Sequence, residues 1–213
     1  MFRRFVIVLS TLLFAFSVLF ISVLRSASVR YSFSKVLTNN SDEDGHKGDE
    51  LDQMNLDYDL AYAGVVLPDS ILWPIKAVRD RFWMLVTTNK SGKAELNILF
   101  ADKRLGASRI LFENKKYDIG YSTLTKAEKY LETANNLEEE LRQKGEDTNE
   151  LAGRIAKASL VHRQVIEKIL LIAPDDAKPK IIELEKYPKG FYESKVSFLR
   201  SKNLSYPENP FTD

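Results

Sequence analysis

The sequence predicts an all-α protein, in which an N-terminal transmembrane helix and an acidic tether precede an antiparallel helical bundle with a long helical hairpin. Residues 5–24 form an unbroken run without a charged side chain. From residue 61 onward, apolar side chains recur every three or four positions, which is the period of a helix that buries one face. No stretch shows the sustained alternation of a strand, so we expect no sheet.

The run at residues 5–24 predicts a membrane anchor. About 20 apolar residues at 1.5 Å per residue match a hydrocarbon core about 30 Å thick. A cleavable signal peptide is the alternative, but its apolar core usually has only about 7–15 residues. Basic residues flank both ends, and the short head containing Arg3 and Arg4 favours a cytoplasmic N-terminus. We therefore expect a single-pass protein of the cell membrane with most of the chain outside the cytoplasm.

The segment 38–60 changes the character of the chain. It holds eight acidic residues against one lysine, and few apolar residues occur before Leu51. Its like charges repel one another, and it has too few apolar side chains to build a core. We therefore predict a disordered linker. The expected organisation is a membrane anchor with its juxtamembrane segment, the acidic linker, a helical bundle domain and a flexible tail, at residues 1–37, 38–60, 61–200 and 201–213.

Cap and stop residues divide the bundle into helices. We predict four main helices, at about 71–87, 92–115, 119–144 and 149–172. The last two form the hairpin around Gly145, a helix-ending glycine. Pro174 ends the fourth helix, and two short helices follow at 175–186 and 191–200.

Composition excludes several kinds of chemistry. The chain has no cysteine, so it has no disulfide, no thiolate nucleophile and no cysteine-ligated zinc. Its 31 basic and 30 acidic residues leave a net charge of +1, which argues against a nucleic-acid partner. Nucleophile and phosphate-loop motifs are also missing. We therefore predict no catalytic residue, no cofactor and no metal ligand.

His162 and the glutamates 138–140 are the residues closest to a chemical site. His162 is the only histidine of the expected bundle and lies on the apolar seam of the fourth helix. A lone imidazole on such a seam predicts a neutral, hydrogen-bonded core side chain rather than a metal ligand. The three glutamates lie in a highly charged helix and predict a solvated face.

The first helix of the bundle offers a possible interaction surface. Its apolar positions 71, 75, 78, 82 and 85 step by four and three, and we expect this face to pack on the other helices. Trp73, Lys76, Arg79 and Trp83 support an alternative. A basic amphipathic helix with tryptophan can lie on an anionic membrane surface, and Trp83 falls outside the main apolar stripe.

One stretch resembles a known family. Residues 61–76 read A-Y-A-G-V-V-L-P-D-S-I-L-W-P-I-K, and residues 93–105 read K-A-E-L-N-I-L-F-A-D-K-R-L. This is similar to a prokaryotic domain-of-unknown-function family of secreted or single-pass membrane helical proteins, which opens with a pattern like A-G-x-L-P-x-S-x-L-Y-P-x-K. Trp73 stands where that family usually has tyrosine. The resemblance implies an extracytoplasmic α-helical domain and supplies no catalytic residue.

Together these observations predict a membrane-anchored extracytoplasmic helical domain that binds or scaffolds rather than catalyses. The bilayer contacts residues 5–24, and the other partner is an unidentified protein or polymer of the cell envelope. Two alternatives stay open. One is an envelope enzyme with an unrecognised site, and the other is an anti-sigma-like signalling component that acts through a membrane partner.

Overall fold

The computed structural model describes residues 7–11, 14, 32–33 and 41–211, with side chains from residue 47 onward in the last range. The chain divides into two compact units, residues 1–31 and residues 32–213. The described part is all-α, as predicted. The helices of the second unit are α1 Ser41–Gln53, α2 Trp73–Val86, α3 Lys90–Glu113, α4 Tyr117–Gln143, α5 Asn149–Ile172 and α6 Lys178–Ser201.

The described residues of the first unit, 7–11 and 14, are helical. Most of the predicted membrane anchor at 5–24 lies outside the described residues. Among the residues that are described, no helix has the length and apolar character needed to cross a membrane.

The core of the second unit lies among α3, α4 and α5. Its buried side chains are mostly aliphatic, and several are alanines that allow close helix packing: Ala94, Ile98, Ala101, Leu131, Ala134, Leu141, Leu151, Ile155 and Ala158. At the start of α4, a Cβ on Gly120 would lie 2.8 Å from the Phe112 ring, so only glycine fits beneath that ring. We expected the main seam between α4 and α5. Instead α3 packs mainly on α4, and α5 packs mainly on α6.

The turn between α4 and α5 forms as predicted. Gly145 has a φ of +81°, the left-handed conformation that glycine adopts without strain. The amide of Glu146 donates to the carbonyl of Leu141 at 3.1 Å, and the amide of Gly145 donates to Arg142 at 3.0 Å. This pair of bonds satisfies the last carbonyls of α4 and is the Schellman arrangement.

The prediction of a disordered linker at 38–60 is wrong from residue 41 onward. Residues 41–53 form α1, and Leu51 is buried against α5. The Gln164 amide donates to the carbonyls of Leu51 at 2.6 Å and Met54 at 3.1 Å, and Lys168 pairs with Asp52 at 2.6 Å. The net acidic charge of the segment led us to expect that water would surround it. In the folded chain, Gln164 and Lys168 of α5 instead supply hydrogen-bonding and ionic partners.

The C-terminal region also differs from the prediction. Residues 178–201 form one helix rather than two, and Pro188 is buried inside it. The buried side chains on either side of Pro188 lie on one continuous face, so packing outweighs the hydrogen bond that proline removes. The tail is not loose either, since Phe211 is buried beside Leu51 and the Tyr192 hydroxyl donates to the Pro207 carbonyl at 2.8 Å.

Candidate interaction surface

The polar side of α2 holds this helix on the bundle. Asp80 is its only buried residue, and its side chain accepts from the Arg79 guanidinium at 2.8 Å. The Arg104 guanidinium of α3 lies 3.6 Å from the other Asp80 oxygen and 4.2 Å from the centre of the Trp73 ring. A buried aspartate therefore lies between two arginines, and one of these also stacks on the first residue of the helix.

The segment before α2, residues 63–72, is hydrogen-bonded to the same polar side of the helix. The Lys76 ammonium donates to the carbonyls of Ala63 at 2.6 Å and Val66 at 3.1 Å. Burial, followed by the charge of Arg104, lowers the pKa of Lys76. Asp69 pairs with Lys116 instead of capping α2, while the Ser70 hydroxyl accepts from the Leu72 amide at 3.2 Å. These bonds give residues 63–72 a defined path into the helix.

The apolar side of α2 faces outward. Ile71 is 92% exposed, and the other members of the stripe predicted to enter the core are at least half exposed: Ile75, Val78, Phe82 and Leu85. The prediction that this face packs on the bundle is therefore wrong. The helix contacts the bundle through its charged side because Asp80 and Arg104 neutralise each other there, which leaves the apolar stripe uncovered by the described residues.

The four residues predicted as an interaction surface lie within about 120° of one another around α2 but differ in their exposure and contacts. Trp73 is partly buried beneath Arg104, and the ammonium of Lys76 is held by backbone carbonyls. Arg79 and Trp83 are exposed. We did not predict Asp80 as the attachment point. An isolated acidic residue opposite an apolar stripe was the available signal.

His162 lies in a closed ionic cluster between α3, α4 and α5. Its side chain is fully buried, with Nδ1 2.8 Å from a Glu128 oxygen and Nε2 3.4 Å from an Asp102 oxygen. Burial by itself lowers the histidine pKa, but the two carboxylates outweigh it and raise the pKa to about 9. The imidazole is therefore cationic at neutral pH, whereas we predicted a neutral one.

Tyr58 extends this cluster to the segment after α1. Its hydroxyl donates to the second Asp102 oxygen at 2.7 Å. Burial, followed by the charge of Asp102, raises the pKa of Tyr58. Among the described residues, one oxygen of Glu128 has no hydrogen-bond partner. The cluster thus joins four parts of the fold, and the described residues enclose the imidazole completely.

A second buried ion pair joins α4 to α6. The Lys195 ammonium, fully buried, contacts Glu138 at 2.5 Å and Glu139 at 3.1 Å. Glu138 also accepts from the Thr148 hydroxyl at 2.6 Å. The prediction that the glutamates 138–140 form a solvated face is therefore wrong for Glu138. Its place four residues after Ala134 on the apolar stripe of α4 was the signal that we missed.

The described residues contain a groove of about 840 Å³ between the first half of α5 and the C-terminal tail. Two of its basic side chains have acidic partners, since Arg154 pairs with Glu95 and Lys157 pairs with Asp57, and the carboxyl groups of Glu150 and Glu208 also line it. No group of three or more potential metal ligands occurs within 47–211 or the other described residues. The groove therefore contains exposed carboxylates but no cluster of metal ligands among the described residues, and the α2 surface is the better defined candidate.

Comparison with known proteins identifies the family. Residues 65–176 match the family described as Domain of unknown function (DUF5667). The match covers more than half of the chain and runs from just before α2 to just after α5. No curated protein and no solved structure matched the chain. The expected resemblance to a family of unknown function is confirmed at this level, and the chain belongs to the DUF5667 family.

Proposed function

We propose that this chain is a non-catalytic binding module, held on the extracytoplasmic side of the cell membrane by residues 5–24, with the outward face of α2 as its binding surface. The observation that carries the proposal is the orientation of α2. A helix attached through a buried aspartate leaves its apolar stripe, from Ile71 to Leu85, available to a partner.

Two further observations support binding over catalysis. The only histidine within 47–211 is fully buried between two carboxylates, and a general acid or base must reach its substrate. The other buried charges, such as Lys195 and Glu138, neutralise each other inside the bundle. Such groups hold the fold together.

The proposal is tested by site-specific photo-crosslinking in the cell that makes the protein. A photoreactive amino acid replaces Val78 on the α2 surface or, as a control, Ile182 on α6. The two side chains are 50% and 49% exposed, so solvent access is matched. We expect a defined adduct from position 78, in the membrane fraction, and none from position 182. Failure to form an adduct at 78, or recovery of the chain in the soluble fraction, would contradict the proposal.

A further inference from the structure

The α2 surface is apolar along its length and cationic at both edges. At about 100° per residue, Ile75, Val78, Phe82 and Leu85 fall within a narrow sector of the helix, and the exposed Ile71 lies in the turn just before it. Relative to Val78, Arg79 lies about 100° to one side and Arg81 about 60° to the other. Both arginines are exposed. The stripe is therefore bordered by one positive charge on each side.

The α2 surface carries no exposed carboxylate from its own helix. Asp80 is the only acidic residue of α2, and it is buried on the opposite side between Arg79 and Arg104. Asp69, just before the helix, is paired with Lys116. An anionic partner thus meets an apolar stripe with cationic borders and no exposed carboxylate of α2.

A second copy of the chain fits this surface poorly. A two-fold contact brings the same surface together from both molecules. The arginines at the edges of one stripe would then approach those of the other, and like charges across an interface disfavour association. A bilayer surface removes this conflict, because the apolar stripe enters the acyl boundary while Arg79 and Arg81 remain among the lipid headgroups.

We propose that α2 lies in the headgroup region of an anionic leaflet, with the stripe from Ile71 to Leu85 buried in the lipid. The proposal rests on the function proposed above, in which residues 5–24 anchor the chain in a membrane. Trp83 lies beyond Arg79, about 140° from Val78 around the helix, and is 55% exposed, so it stays among the headgroups when the stripe enters the lipid. An amphipathic aromatic ring suits that headgroup level.

The absence of cysteine allows a direct test in the full-length protein. Val78→Cys or, as a control, Ile182→Cys is labelled with a nitroxide. The chain is then reconstituted into vesicles of phosphatidylcholine, alone or mixed with phosphatidylglycerol. Accessibility to oxygen and to a water-soluble nickel complex reports whether each label lies in lipid or in water.

We expect the label at position 78 to move from water into lipid when phosphatidylglycerol is present, and the label at 182 to stay in water. High salt should reverse the movement. A cation near an anionic surface contributes about 1 kcal/mol. Arg81→Gln, which leaves the pair of Arg79 with Asp80 intact, should therefore lower the ratio of lipid-bound to free α2 about fivefold.

Three results would overturn the lipid assignment. The label at 78 could stay in water in both kinds of vesicle, or be shielded equally with and without phosphatidylglycerol, which indicates cover by protein. Alternatively, Arg81→Gln could bind like the parent. A photo-adduct from position 78 to a protein would still support the binding function in these cases. Failure of both experiments would reject both proposals.

Discussion

Helices α2 and α4 show the same apolar periodicity but use it in opposite ways. The stripe of α4, which includes Leu124 and Leu131, is buried against its neighbours. The stripe of α2 faces outward, and the helix is held by Asp80 on its opposite side. Amphipathicity therefore shows that a helix has an apolar face, but the partner of that face depends on the rest of the chain. In this protein a paired, buried aspartate reverses the usual orientation.

The buried charges of α4 and α2 also differ in their surroundings. Glu138 on α4 and Lys195 on α6 are both fully enclosed. Asp80 on α2 is paired partly with Arg79, whose side chain is 56% exposed. Loss of one partner should therefore destabilise the fold far more at the α4 pair than at α2. The variants below follow this contrast from the largest expected effect to the smallest.

Lys195→Ala should give the largest loss of stability. It leaves the Glu138 carboxylate buried without its ammonium partner, and breaking a buried ion pair costs about 3–5 kcal/mol. Lys144→Ala is the control, because Lys144 is exposed in its pair with Glu140 and should cost less than about 1 kcal/mol. Urea unfolding of residues 32–213 measures both. Equal losses would show that the α4–α6 pair is not desolvated.

The His162 cluster predicts a dependence of stability on pH. The folded-state pKa is raised from 6.5 to about 9, so the stabilisation is fully present below about pH 6.5 and is lost as the pH rises through about 9. The loss should be on the order of 3 kcal/mol. It is measured as the difference between wild type and His162→Gln in urea unfolding at several pH values. A difference that does not change between pH 6 and pH 9 would contradict a cationic His162.

Two glycines predict smaller effects of opposite sign. Gly120→Ala should destabilise the bundle by about 1–3 kcal/mol, because its Cβ would lie 2.8 Å from the Phe112 ring. Gly153→Ala should stabilise it by about 0.5–1 kcal/mol, because no described residue outside its own turn of helix approaches within 4 Å of that Cβ and alanine favours the helix. Thermal unfolding distinguishes the two. A loss at Gly153 would reveal a contact on the open side of α5.

Local signals allowed much of the helical fold to be predicted. The fourth predicted helix, 149–172, coincides with α5, and Gly145 ends the hairpin turn as expected. These features depend on side chains close together in the sequence. The break predicted near Pro188 was wrong for the same reason. The local signal indicated the end of a helix, but packing against residues distant in the sequence preserves it.

The candidate site depended on contacts that sequence periodicity does not encode. Trp83 was noted because it falls outside the apolar stripe, and it is exposed. The exposure of the stripe itself was not predicted, because it follows from the meeting of Asp80 with Arg104 on another helix. Likewise, the pairing of Glu138 with Lys195 joins residues 57 positions apart. Only the folded chain brings these charges together.

The central claim is that the apolar stripe of α2 is a surface and not part of the core. The most direct measurement is the unfolding free energy of the triple variant Ile75→Ser, Val78→Ser, Phe82→Ser, made in residues 32–213. Because all three side chains are at least half exposed, we expect a change of less than about 1 kcal/mol in total. The matched control, Ile155→Ala in the core, should lose about 2–5 kcal/mol. A loss of several kcal/mol in the triple variant would show that the stripe is packed, and would contradict the account.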